Sequence, residues 1–163
     1  MFERERTLYA FTTNYAKKVL ADIPDEQMRR RQAPGLNPPL WILGHLTICT
    51  DYGLQLLGRP TRLPGPWLKM FGPGSDPDAL PADAPGKAQL LSAFAAGSEA
   101  VAQATKDPPP EVLGRPHGID IGDIKTAIPT VGDLVAHLMT THQAFHLGQL
   151  SACRRLLGMP PLF

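Results

Sequence analysis

Two histidines, His142 and His146, stand four residues apart within Thr141-His142-Gln143-Ala144-Phe145-His146-Leu147-Gly148-Gln149-Leu150 near the C-terminus. On a helix that step is about one turn, so both imidazoles point the same way and can address one ion. The stripe carrying them continues through Val135, Leu138, Gln149 and Cys153, which turns this face toward the interior. A pair is incomplete for a cation, and the third ligand has to come from elsewhere. His45 supplies it. It shares the apolar Trp41–Ile48–Tyr52 face of an earlier helical segment, and one histidine there with two here makes a three-imidazole set. Such sets hold catalytic zinc with a position left for water or substrate. Nickel and iron suit the same ligands, so the expectation is one divalent ion, zinc or nickel before iron.

The other candidates separate by spacing. His137 is five residues before His142, which on a regular helix places it about 140° round, so it is excluded as a co-ligand. Asp51, six positions beyond His45, falls on the far side of its helix. His117, in a glycine-containing loop, and Cys153, two turns past His146, stay open as a fourth ligand. His142-Gln143-Ala144-Phe145-His146 is similar to the zinc-protease pattern, but Gln143 occupies the general-base position and cannot take a proton. Tyr52, Gln149 and Trp67 are the candidate substrate contacts.

Four helical segments must position these residues. The first covers residues 3 to 21, with Leu8, Phe11, Tyr15, Val19 and Leu20 at helical spacing. The second opens with Asn37 as cap and Pro38 at the first position, and stops at Gly58. The third spans 86 to 105. The fourth runs from Thr130, in a near capping box with Asp133, to a Gly158 cap. Residues 59 to 85 are so rich in proline and glycine that no regular element is expected there. Their Trp67, Leu68, Met70 and Phe71 nevertheless imply an ordered loop across one end of the helices, lidding a site. The expected fold is all-α, a four-helix bundle in a single domain over 1–163, with long connections between helices two and three and between three and four.

Composition narrows the function classes. A formal charge of +1 argues against nucleic-acid binding, and Arg29-Arg30-Arg31 reads as a solvated or salt-bridged turn. The two cysteines, Cys49 and Cys153, read as small core residues of a reducing compartment. No signal peptide and no bilayer-length apolar run is visible, so a cytoplasmic protein without membrane association is expected.

With these residues in view, the chain resembles the DinB/YfiT-like superfamily of small bacterial four-helix metalloproteins. The matching pieces are Pro39-Leu40-Trp41-Ile42-Leu43-Gly44-His45-Leu46, the His142–Leu150 segment, and the ending Arg154-Arg155-Leu156-Leu157-Gly158-Met159-Pro160. The resemblance implies a divalent-metal triad of His45, His142 and His146. It also implies a homodimer, and an activity among thiol-dependent transferases or isomerases that use low-molecular-weight thiols, or among metal-dependent hydrolases. Many relatives carry glutamate where Gln143 stands. Gly148 is expected where a neighbouring helix crosses closely. Two functional readings follow. One is an enzyme such as a low-molecular-weight-thiol S-transferase with a metal-activated thiolate or water acting on a small-molecule substrate. The other is a non-catalytic metal-binding, dimerising bundle.

Overall fold

Apolar side chains recur at three- and four-residue steps in every long segment, and each such segment is helical. A computed structural model describes residues 1–120 and 122–162. Its elements are α1 (Glu3–Ala21), α2 (Pro39–Leu56), α3 (Gly65–Phe71), α4 (Lys87–Ala104), α5 (Pro110–Leu113), α6 (Ile124–Ala127), α7 (Val131–His137), a π turn (Leu138–His142) and α8 (Gln143–Leu156). The fold is all-α. No strand occurs among the described residues; Pro116 and Thr130 form an isolated bridge. No described helix is long and apolar enough to cross a membrane.

Helix α2 is the central rod. Fifteen of its eighteen residues are buried, as expected of a helix apolar on nearly every side. Pro38 caps it in extended geometry and Pro39 starts it, one residue later than the sequence suggested. Helix α4 packs closely on it, and a Cβ on Gly97 would lie 2.1 Å from Thr50 Oγ1, so only glycine admits this approach. The expected close crossing at Gly148 is not there: a Cβ at that position meets nothing within 4 Å. Helix α1 lies along α8 and buries Tyr9, Thr13, Ala16, Val19 and Leu20, leaving Leu8 and Phe11 exposed.

The proline-rich segment departs from expectation. Gly65–Phe71 is a helix, entered through Pro64 and Pro66, whose fixed φ suits a first turn. Trp67 and Phe71, four residues apart, are both buried, and that shared apolar face makes the short helix stable. The remainder is pinned by arginines. Arg31 pairs with Asp78 at 2.7 Å, and Arg29 donates to the Pro81 carbonyl at 3.0 Å.

The last rod is not one uniform helix. Thr130 and Asp133 form the capping box that opens it. Between Leu138 and His142 the bonding widens to a π turn, then α8 continues to a Gly158 cap at φ 80°.

Candidate metal centre

His45 sits mid-way along α2 and is fixed from two sides. Its Nδ1–H donates to the Phe71 carbonyl at 2.8 Å, which leaves Nε2 as a free lone pair. Trp41, one turn earlier, stacks flat on the ring with centroids 5.0 Å apart and planes at 6°, while its own N–H donates to Ser75 Oγ. The glycine before His45 makes this possible. A Cβ on Gly44 would overlap the Phe71 ring at 2.2 Å, so glycine lets α3 seat against α2 and deliver its last carbonyl.

His146, on α8, donates Nδ1–H to Gln149 Oε1 at 2.8 Å, again leaving Nε2 for other work. Partners of this kind set the tautomer of metal-binding imidazoles. His142 Nε2 lies 3.2 Å from His45 Nε2, and its Nδ1 is buried without a partner. One ligand nitrogen from each of His45, His142 and His146 falls within 4.8 Å of the others, a grouping that could hold a metal ion.

Electrostatics favour a cation. Burial, followed by repulsion from His146, His45 and His137, pushes His142 down to about 3. Burial and then His45 push His146 down to about 4, and burial lowers His45. All three rings are therefore neutral at pH 7, the form that ligates. Two ring nitrogens at 3.2 Å, one of them certainly a lone pair, also match the separation of neighbouring ligands on one ion at about 2.0–2.1 Å per bond. The residues fit a divalent metal.

Other positions named from sequence resolve as follows. His117 has both nitrogens engaged in its own loop, Nε2 with the Ile128 carbonyl and Nδ1 accepting from Ile119 N–H. Cys153 is fully buried and outside the cluster. The nearer thiol is Cys49, with Sγ 3.7 Å from His45 Nε2; burial pushes it up to about 12, so it stays protonated. Asp51 accepts the backbone N–H groups of Arg62 and Leu63 at 2.8 Å, tying the loop to α2. Gln143, 2 % exposed, donates its amide to Thr12 and Thr13 Oγ1 on α1 and is a structural tie.

Of the three candidate substrate contacts, only Tyr52 borders open space near the triad. It lines a cavity of about 260 Å³ whose lining includes His45 and His142. Gln149 is spent on orienting His146, and Trp67 packs in the core without lining this cavity.

One residue set aside by spacing moves inward. The His137 ring stands 5.6 Å from that of His142 and lines the same cavity, though it is outside the three-membered cluster. The 140° separation assumed α geometry. A π turn closes i to i+5, so a five-residue step across it covers roughly one turn and brings the two rings edge to face. Thr140 bonding back to the Ala136 carbonyl, and Thr141 bonding to His137, are the local signals that accompany the turn.

The chain has no match among curated proteins. A family model described as the DinB superfamily matches residues 8–150. That span takes in all three clustered histidines, and the chain belongs to the DinB superfamily.

Proposed function

We propose that this protein is a divalent-metal enzyme of the thiol-transferase class, with His45, His142 and His146 as the metal ligands and zinc or nickel as the resident ion, iron being the next candidate. The observation that carries the reading is the neutral triad, with His45 and His146 oriented by their own hydrogen bonds and His45 and His142 lining an apolar cavity. A purely structural staple needs no such cavity. When bound there, the ion would lower the pKa of a thiol or water and so supply a nucleophile near neutral pH.

The chain's own residues do the rest. Phe71 and Gln149 hold the Nε2 lone pairs of His45 and His146 forward, so neither ring has to reorganise. Trp41 and the α3 seat exclude water behind His45. Tyr52, raised above its ordinary value by burial and then by Cys49, keeps its proton and presents a hydroxyl donor at the cavity wall. A cytoplasmic homodimer acting on a small-molecule substrate completes the proposal. The exposed Leu8, Phe11 and Phe145 on the paired helices α1 and α8 support the dimer, and the near-neutral charge speaks against a nucleic-acid partner.

The test is elemental analysis of the purified protein, then a screen of the loaded protein with several low-molecular-weight thiols and a chloro-nitroarene. The expected result is one divalent ion per chain and thiol-dependent release of chloride. His142→Ala should lose both. A His142→Ala protein that kept a stoichiometric ion would overturn the ligand set. An ion without turnover of any thiol or of water would favour the non-catalytic bundle.

A further inference from the structure

The cavity beside the triad has His45 and His142 in its lining. Its body is formed by apolar side chains, among them Leu56, Leu134, Leu138 and Ile124. Among the described residues no lysine or arginine lines it. The one carboxylate, Asp120, is exposed and accepts the Gly122 N–H within its own loop. At about 260 Å³ the space is of the size of a small-molecule site. A charged, polyhydroxylated thiol would find few hydrogen-bond partners along that apolar body. A compact apolar molecule would need few.

On the last rod, His137 is the polar residue of that wall outside the triad. The π turn spends one extra residue to bring it over His142, and π turns recur where function demands a re-aimed side chain. Its Nδ1 is engaged with Thr141 Oγ1 at 2.6 Å. The Nδ1–Oγ1 bond fits either tautomer; in the one where the hydroxyl donates, Nε2 carries the proton, and Nε2 has no hydrogen bond among the described residues. Together with the Tyr52 hydroxyl on α2, it gives the apolar wall the small number of placed polar groups by which small-molecule sites fix a ligand's direction.

We propose that this chamber takes a compact, uncharged, largely apolar molecule with a single hydrogen-bond acceptor, and that His137 Nε2–H holds that acceptor. The proposal deepens the metal reading and rests on it for what His45 and His142 hold beside the chamber. It assigns the chamber to the second, electrophilic substrate, with the thiol approaching from outside it. His137 is then a substrate-positioning residue, and the chamber's apolar body sets specificity.

The test compares acetophenone with α-methylstyrene, matched in shape and differing in the carbonyl acceptor. The wild-type chain and His137→Leu are loaded with cobalt, their metal content is measured, and both probes are titrated by ligand-observed NMR. Wild-type protein should bind acetophenone about tenfold more tightly, the worth of one hydrogen bond. In His137→Leu the ratio should fall to near one at unchanged cobalt content, and His137→Gln, which keeps a donor, should restore part of it. Cobalt should broaden the acetophenone signals, which places the guest beside the triad. Equal affinities in the wild type, an intact ratio in His137→Leu, or unbroadened signals in cobalt-loaded protein would each overturn the proposal. If the wild type takes up no cobalt, the metal reading falls, while the probe ratio on the metal-free chain still decides the role of His137.

Discussion

Side chains that look catalytic by type are separated here by what their second polar atom touches. His45 and His146 each have one nitrogen committed, to Phe71 and Gln149, and one left over. His117 has none left over. Gln143 carries the same lesson. Thr12 already donates its hydroxyl to the Leu8 carbonyl, so its oxygen faces Gln143 as an acceptor and requires an amide N–H opposite. A carboxylate at that position would be buried against an acceptor. Gln143→Glu, which restores the protease-like pattern, should therefore destabilise the fold by about 1–3 kcal/mol, the cost of a buried unsatisfied polar group, and confer no peptidase activity. Urea denaturation of the two proteins measures the first effect and a casein assay the second. A variant of unchanged stability would mean that the α1–α8 contact has another basis.

At the level of helices, the fold was legible in the sequence wherever a side-chain period decides the matter. The boundaries of α1, α4 and the last rod follow from apolar spacing, from Thr130 and Asp133, and from Gly158. The triad was legible for the same reason, because Cβ directions on a helix follow residue count. What escaped depended on backbone hydrogen bonding or on close approach, which leave little trace in composition. Helix α3 was hidden by its prolines, although Trp67 and Phe71 mark its buried face. The Gly44–Phe71 contact pairs residues far apart in the chain. The π turn changes the angle per residue, which no hydrophobic stripe announces, and so His137 was misplaced. Two measurements probe these elements. Gly44→Ala drives a methyl into the Phe71 ring, so it should cost about 1–3 kcal/mol of stability and loosen metal binding as the His45 anchor shifts. Thermal melts and zinc titration read the two effects. Deleting the exposed Thr141 should let the rod run on as a regular α-helix, with His137 then four residues before His142. Zinc binding should survive that deletion, since His142 and His146 keep their spacing. Its loss would show that the turn itself positions the triad.

For the whole molecule, three weakly basic rings buried together make metal-free stability a function of pH, and the sign follows from linkage. In the unfolded chain a histidine titrates near about 6.5. In the folded chain burial and mutual repulsion hold His142 at about 3 and His146 at about 4, with His45 also lowered. Between these values and 6.5 the unfolded state binds more protons than the folded one, so stability rises with pH. The metal-free protein should therefore be at full strength above pH 6.5 and weaken steadily as pH falls toward 4, in urea titrations at fixed temperature. Replacing His142 and His146 together with Gln removes the two most depressed groups and should flatten that slope. A divalent ion binds only the deprotonated rings of the folded state, so loading adds stability by mass action, about 2.7 kcal/mol at a hundredfold excess over Kd. Protons and metal then compete for the same three nitrogens, and the added stability should vanish in the acid range where the metal-free protein weakens. A metal-free protein equally stable at pH 7 and pH 4.5 would mean that these rings do not titrate as a buried, mutually repelling set, and the preference of the site for a cation would lose its electrostatic basis.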